Sequence, residues 1–334
     1  MHLLITGAAG FIGRHVTARA LAEGHSVRAT LRDPAREGAL RAALGGPETL
    51  EIARADLMDD TGWVEAMAGV DAILHTASPV PTTTPTSDDV VIRPAVDGTR
   101  RVLEAAARSG VGQVVVTSSI AAMLGDPRKG PRDLYDEHDW TDPDRPALRA
   151  YIISKTLAER AAREIAAREG LRLATVNPGF VFGAPLGGGV SSSLTMIDML
   201  IRGKIPLVPR ISFPCVTVED VAEAHLRALD GLAGDTRGDG ARLVASGETL
   251  WLSEIARVAY DATGARRRVR QAPDWLVRLV ARVAPDVRTF ASELGDFRRT
   301  DPAGCETALG RPLADPREGI AVAARALAAA RDAA

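Results

Sequence analysis

Tyr151 and Lys155 stand four residues apart in Tyr151-Ile152-Ile153-Ser154-Lys155, which begins a helical pattern continued by Leu157, Ala158 and Ala161. Positions i and i+4 share a helix face, so the phenol and the ammonium project together. A free phenol is a poor acid-base group at neutral pH, and a nearby ammonium favours its phenolate. Upstream, the β-rich run Val114 to Thr117 ends in Ser118 and Ser119. That puts Ser119 at a strand end, where its hydroxyl can hydrogen-bond a carbonyl oxygen beside the phenol. Such a trio suits proton transfer at an oxygen atom. A Tyr–Lys pair by itself is common on any helix, so its meaning depends on what surrounds it.

What surrounds it is a dinucleotide cradle. Thr6-Gly7-Ala8-Ala9-Gly10-Phe11-Ile12-Gly13 follows the apolar run His2 to Thr6 and opens a helical pattern. Glycines at i, i+3 and i+6 allow a tight turn, a close backbone approach to a diphosphate, and packing of helix on strand. The diphosphate then meets unpaired N–H groups at the helix N-terminus. At the end of the next β-run, a carboxylate would read the ribose 2′-hydroxyl of NAD. The sequence instead reads Val27-Arg28-Ala29-Thr30-Leu31-Arg32-Asp33. Arg32 suits a bidentate contact to a 2′-phosphate, with Arg28 or Arg36 assisting. Asp33 leaves NAD as the alternative, and the balance of charge points to NADP(H).

These pieces need a sheet to hold them. Candidate strands are His2–Thr6, Ser26–Leu31, Leu50–Ala53, Ala72–His75, Val114–Thr117 and Arg172–Val176, most of them separated by helix-length stretches such as Arg14–Ala22 and Thr99–Ala107. Alternation of this kind predicts an α/β fold: a doubly wound parallel sheet of the Rossmann type, with ligands beyond the strands' carboxyl ends. After Asn177-Pro178-Gly179 the rhythm weakens. Gly187-Gly188-Gly189 reads as a break, three prolines between Ile205 and Pro214 predict irregular chain, and Gly231–Gly240 reads as an exposed loop. The later elements expected are helices at Val218–Leu229, Ser253–Tyr260 and from Arg317, and a strand at Arg242–Ala245. Residues 1–178 with 214–246 are expected to form the dinucleotide-binding domain, and 179–213 with 247–334 a smaller substrate-binding lobe.

Bulk properties narrow the function. The 334 residues exceed one ordinary core, and 46% hydrophobic with 25% charged residues excludes a disordered chain, a collagen and a coiled coil. With 41 basic against 43 acidic residues, net −2, nucleic acid is not an expected partner. Cys215 and Cys305 form no disulfide framework or zinc pattern, His138 and His225 have no partners at metal-ligand spacing, and His75, ending a strand, reads as a packed side chain rather than an acid or base, so no metal is expected. No basic leader precedes Leu3, and no apolar run approaches the roughly 20 residues of a bilayer span. Trp275 to Val283 reads as an outer helix rather than a membrane-surface one. The expectation is a cytoplasmic protein with no membrane partner.

Taken together, the motifs resemble those of the extended short-chain dehydrogenase/reductases, within them the group of dihydroflavonol reductase, cinnamoyl-CoA reductase and bacterial carbonyl reductases. The resembling pieces are residues 6–13, 27–34, Ala55-Asp56-Leu57, His75-Thr76-Ala77-Ser78-Pro79, 114–119, 135–142, 151–159, 177–183 and 218–225. They cover most of the first 183 residues and one block beyond. The resemblance implies NADP(H) as cofactor and Ser119, Tyr151 and Lys155 as the catalytic trio. Tyr151 would give a proton to a carbonyl oxygen as hydride arrives, Ser119 would orient that oxygen, and Lys155 would also hold the nicotinamide ribose. It further implies that Gly7, Ala9, Gly10, Phe11, Ile12 and Gly13 cradle the diphosphate, and that Arg32 reads the 2′-phosphate. Asp56 and Leu57 would border the adenine. Thr76, Ala77, Ser78 and Thr117 would line the cofactor toward the nicotinamide ribose, with Pro178, Gly179 and Val181 at the nicotinamide. Loop 136–140 would fix the approach to the Tyr151 helix. Members often form dimers, so a homodimer is among the expectations.

One departure concerns the substrate. Where the plant flavonoid enzymes carry an asparagine five residues after the catalytic serine, this chain has Leu124, so a flavonoid is not supported. Ile120, Ala121, Met123, Leu124, Phe180 and Phe182 suggest an apolar pocket mouth instead. The expected activity is reduction of an aldehyde or ketone on a small to medium apolar molecule, or the reverse oxidation. The alternatives are an NAD-dependent nucleotide-sugar epimerase or dehydratase of the same fold, and a non-catalytic NADP-binding redox sensor.

Overall fold

A computed structural model describes residues 1–78, 87–126, 128–130, 133–145, 148–187, 191–234, 239–265, 267–282 and 293–332. Pro79, Gly188, Gly189, the middle of the loop expected at 231–240, and Val283 lie outside them. In chain order the strands are β1 (His2–Thr6), β2 (Ser26–Leu31), β3 (Leu50–Arg54), β4 (Ala72–His75), β5 (Gln113–Thr117), β6 (Leu134–Tyr135), β7 (Arg172–Val176), β8 (Phe180–Phe182), β9 (Ser212–Thr217), β10 (Arg242–Leu243), β11 (Thr249–Trp251) and β12 (Arg299–Thr300). The helices are α1 (Phe11–Ala22), α2 (Glu37–Ala43), α3 (Trp63–Met67), α4 (Asp89–Arg108), α5 (Ala150–Glu169), α6 (Ser192–Ile201), α7 (Val218–Ala233), α8 (Leu252–Thr263) and α9 (Asp274–Val280), then Ala303–Leu309 and Pro316–Asp332.

Seven strands form one sheet in the order β10-β7-β5-β4-β1-β2-β3, and every pairing in it is parallel. Parallel strands covered on both faces read as continuous apolar runs, and Leu3, Leu4 and Ile5 are indeed wholly buried. Their side chains alternate between two cores. Leu3 and Ile5 point to the one shared with α1 and α7, Leu4 to the one shared with α3, α4 and α5. Strand order reverses between β1 and β4, and a doubly wound sheet opens its ligand crevice beyond that point.

A second sheet, β11-β9-β8, carries α6, α8 and Pro316–Asp332 around a third core. Two expectations change here. Pro214 lies inside β9, not in irregular chain; pairing with β8 begins only at Phe180↔Cys215, so Pro214 owes no hydrogen bond on that side. The boundary drawn at 214 therefore falls within a small-sheet strand. Likewise, α7 runs on through Gly231 to Ala233. Val277 tucks α9 into the third core while Trp275 and Leu279 stay exposed. Among the described residues no helix is long and apolar enough to cross a membrane.

Candidate active site

The sequence-predicted residues gather along the carboxyl edge of the large sheet. Gly7 follows β1, Arg32 β2, Asp56 β3, Thr76 to Ser78 β4, Ser119 β5, and Pro178 β7. At the cradle, Gly7 has φ +70°, and a Cβ there would stand 2.7 Å from the Ala77 backbone. A Cβ on Gly13 would stand 2.2 Å from the Gly7 carbonyl. These two glycines let helix, turn and β4 close on one another. Gly10 caps α1 with no side-chain hydrogen bond, and no acid occupies the first turn, which leaves the positive helix end open to an anion. The side chains of Phe11 and Ile12 pack inward on the first core, so only their amides are available to a ligand.

Arg32 is exposed and has no hydrogen-bond or ion-pair partner among the described residues. Asp33 is engaged: its carboxylate accepts the Ala35 N–H at 3.0 Å and caps the short turn Pro34–Arg36. Arg28 must be withdrawn as a helper. It sits three residues before the carboxyl end of β2, bound to Glu51 at 2.7 Å and to the carbonyls of Ala66 and Ala68 at 3.0 and 2.7 Å. Arg36 is exposed, and its charge joins burial in lowering the pKa of Arg14. Asp56 accepts the Met58 N–H at 3.0 Å, and Leu57 packs where a Cβ on Gly98 would be.

Beyond β4 and β5, one small cavity is lined by Ala77, Ser78, Thr117, Lys155 and Glu159, with His75 behind them. Lys155 is only 8% exposed, yet it makes no hydrogen bond or ion pair among the described residues; Glu159, which lines the same cavity, is bound to other donors. Burial, with the Lys155 charge adding to it, pushes the His75 imidazole down to about 3. His75 is therefore neutral, and its Nδ1 lies 2.7 Å from the Thr6 hydroxyl. It is a packed spacer, as is Thr76, whose hydroxyl donates to the Thr6 carbonyl at 2.6 Å. Tyr151, one turn before Lys155 at the start of α5, is 40% exposed. Ser119 is in extended conformation, and its oxygen accepts the Ala121 N–H at 3.2 Å. Its own proton is thereby left for another acceptor.

Three residues have positions the sequence did not indicate. Thr117 faces His225, Oγ1 to Nε2 at 2.6 Å, rather than standing free in the crevice. Val181 buries its side chain in the first core. Gly179 is pinned, since a Cβ would meet the Pro214 carbonyl and the Ser246 hydroxyl, each at 2.5 Å. Of the expected pocket mouth, Met123 and Phe182 are wholly buried, and Ile120 nearly so. Phe180 remains half-buried and stacks on Phe213 at 4.5 Å. Phe213 was not expected at the site, because a lone aromatic between prolines carries no periodic signal. Among the described residues, no three His, Cys, Asp or Glu side chains could hold a metal ion together.

Comparison with known proteins identifies the family and the fold. The profile of the NAD dependent epimerase/dehydratase family matches residues 3–239. Cinnamoyl-CoA reductase 1 of Petunia hybrida is 38% identical over 227 residues, 66% of this chain and 67% of that protein. Dihydroflavonol 4-reductase of Zea mays is 36% identical over 61% of this chain and 59% of its own length. Among solved structures, yeast methylglyoxal/isovaleraldehyde reductase Gre2, complexed with NADPH, superposes with a TM-score of 0.80 at 22% identity over 99% of both chains. Vestitone reductase from alfalfa gives 0.77 at 24% identity, again over 99% of both. The chain belongs to the NAD dependent epimerase/dehydratase family, the extended short-chain dehydrogenase/reductases.

Proposed function

We propose that this protein is an NADP(H)-dependent reductase of an aldehyde or ketone on a small to medium apolar molecule, working in either direction. The observation that carries the proposal is Lys155: a buried ammonium without a partner among the described residues, in one cavity with Ala77 and Ser78 and one turn from an exposed tyrosine. A buried cation is costly unless something satisfies it, and ribose hydroxyls would do so. The open end of α1 and Arg32, unengaged among the described residues, fit the diphosphate and the 2′-phosphate of the same molecule, while the Asp33 carboxylate is directed to the Ala35 N–H. The related cinnamoyl-CoA and dihydroflavonol reductases, and a fold neighbour that holds NADPH, support the reading.

When bound, reduced nicotinamide supplies the hydride. The chain supplies the rest. Ser119 gives its hydroxyl proton to the substrate oxygen as a hydrogen bond, which orients and polarises the carbonyl. Tyr151 transfers its phenolic proton to that oxygen as negative charge develops there. The ammonium of Lys155, one turn along the same face, stabilises the phenolate left behind. Phe180 and Phe213 offer an apolar stack to the remainder of the substrate. NADPH consumption measured against a panel of aldehydes, ketones and acyl-CoA thioesters tests the reading. Turnover of at least one apolar carbonyl, faster with NADPH than with NADH, is expected. Stoichiometric NAD in the purified protein with no turnover would favour an epimerase or dehydratase instead.

A further inference from the structure

Glu159 lies on the same face of α5 as Tyr151 and Lys155, one turn deeper than the lysine. Along this stripe exposure falls from 40% at Tyr151 to 8% at Lys155 and 1% at Glu159. The buried carboxylate accepts its shortest hydrogen bonds from Ser118 Oγ at 2.5 Å, Arg242 Nε at 2.6 Å and Asn177 Nδ2 at 2.8 Å, with Arg163 and Thr175 Oγ1 farther off at 3.4 Å. Burial pushes its pKa up, but the charge of Arg242, with hydrogen bonds from Arg242 and Ser118, outweighs burial and keeps the carboxyl below its usual range.

Each of the nearer donors also bears on Ser119. Ser118 is its chain neighbour. Asn177 Nδ2 also donates to the Ser119 carbonyl at 3.2 Å. Arg242 spends its other N–H groups on the carbonyls of Glu137 (3.0 Å), Asp139 (2.5 Å) and Ala122 (3.4 Å), with its guanidinium 4.0 Å from the Trp140 ring centre. Ala122 ends the short turn that Ser119 opens. A buried ion pair is weak evidence for stability, because desolvation offsets most of its attraction. Its geometric effect is clearer: one carboxylate ties the helix bearing Tyr151 to the strand end bearing Ser119.

We propose that Glu159, with Asn177 and Arg242, is a positioning cluster that sets the spacing between the Ser119 hydroxyl and the Tyr151 phenol. This rests on the reductase reading above. A misplacement of about 1 Å can cost on the order of a hundredfold in rate. The test uses Glu159→Gln and Asn177→Ala, the latter leaving the Glu159–Arg242 pair in place. Turnover of a responsive aldehyde is divided by the number of NADPH-binding sites found by fluorescence titration, so that misfolded molecules drop out. The expected result is a roughly 10- to 100-fold lower kcat per site, with KM and NADPH affinity little changed. A merely structural cluster would lower Tm and leave turnover per site alone. Wild-type turnover per site in either variant that binds NADPH overturns the proposal, and if Glu159→Gln binds none, Asn177→Ala decides. Ser119→Ala and Tyr151→Phe run in parallel: if they too keep wild-type turnover, the reductase reading has failed and not the cluster alone.

Discussion

At the carboxyl edge of the large sheet, charged and polar side chains are buried in a connected cluster; in the small lobe the buried side chains are mostly apolar, hydroxyls such as Ser193, Thr249 and Thr300 bond to carbonyls, and ion pairs lie nearer the surface. Glu159, Asn177, Arg242, Thr117 and His225 all lie within the first region with their hydrogen bonds made. Among the described residues Lys155 and Arg32 have no protein partner, and the proposed function assigns both to the dinucleotide. The third core, by contrast, is built mainly from Ile, Leu and Ala, and the ion pairs around it, such as Arg210–Asp274 at 2.5 Å, are partly exposed. Hydrogen bonds fix angles and distances, whereas apolar packing fixes mainly shape and volume. The first region is thus suited to holding chemistry constant, and on the proposed function the second is the side that selects a substrate.

The largest effect should come from Lys155→Met. Turnover is expected to fall by about 10³-fold, with NADPH binding weakened as well, in a stopped-flow and fluorescence comparison with wild type. Unchanged NADPH affinity would show that the buried ammonium serves the sheet edge and not the ligand.

Acid should act on the first region before the second. Val221 can only accept from His225 Nδ1 (2.7 Å), so Nδ1 carries the proton and Nε2 accepts from Thr117. Burial pushes this imidazole down to about 4. Its folded-state pKa lies below the unfolded value of about 6.5, so the unfolded chain binds more protons between these limits. Stability should fall as pH drops through that window, by roughly 3 kcal/mol from this residue, and His75 adds in the same direction. In His225→Gln, the pH dependence of Tm between pH 6.5 and 4 should flatten; an unaltered slope would contradict the assignment.

Arg32→Ala is expected to cut the preference for NADPH over NADH by about 10- to 100-fold, the value of a charge-assisted phosphate contact, read from kcat/KM for each cofactor. Phe180→Ala should do least. Losing a half-buried ring is expected to raise the KM of an apolar substrate about tenfold, with NADPH affinity unchanged. A change in NADPH affinity there would erase the contrast between the two regions.

The same contrast governs how much was legible in the sequence. β1, β2, β4 and β7 are found at the expected bounds, because strands buried on both faces are rich in apolar and β-branched residues, and turns such as the one at Gly7 demand glycine. Arg28 lies within β2 and Arg32 just past its carboxyl end, a difference that a linear reading does not weigh. Pro214 broke the expected pattern, since its tolerance depends on where β8 begins. Glu159 and Asn177 both stood inside recognisable motifs, but Arg242, 83 positions beyond Glu159, carried no local mark. A polar cluster assembled across α5, β5, β7 and β10 exists only once the sheet has formed.

The most direct measurement is Tyr151→Phe, assayed for NADPH binding by fluorescence titration and for reduction of a responsive aldehyde in a single-turnover experiment. Binding of the cofactor as in wild type, with reduction slowed at least about 10²-fold, is the expected result. Reduction within a factor of about two of wild type would show that another group delivers the proton.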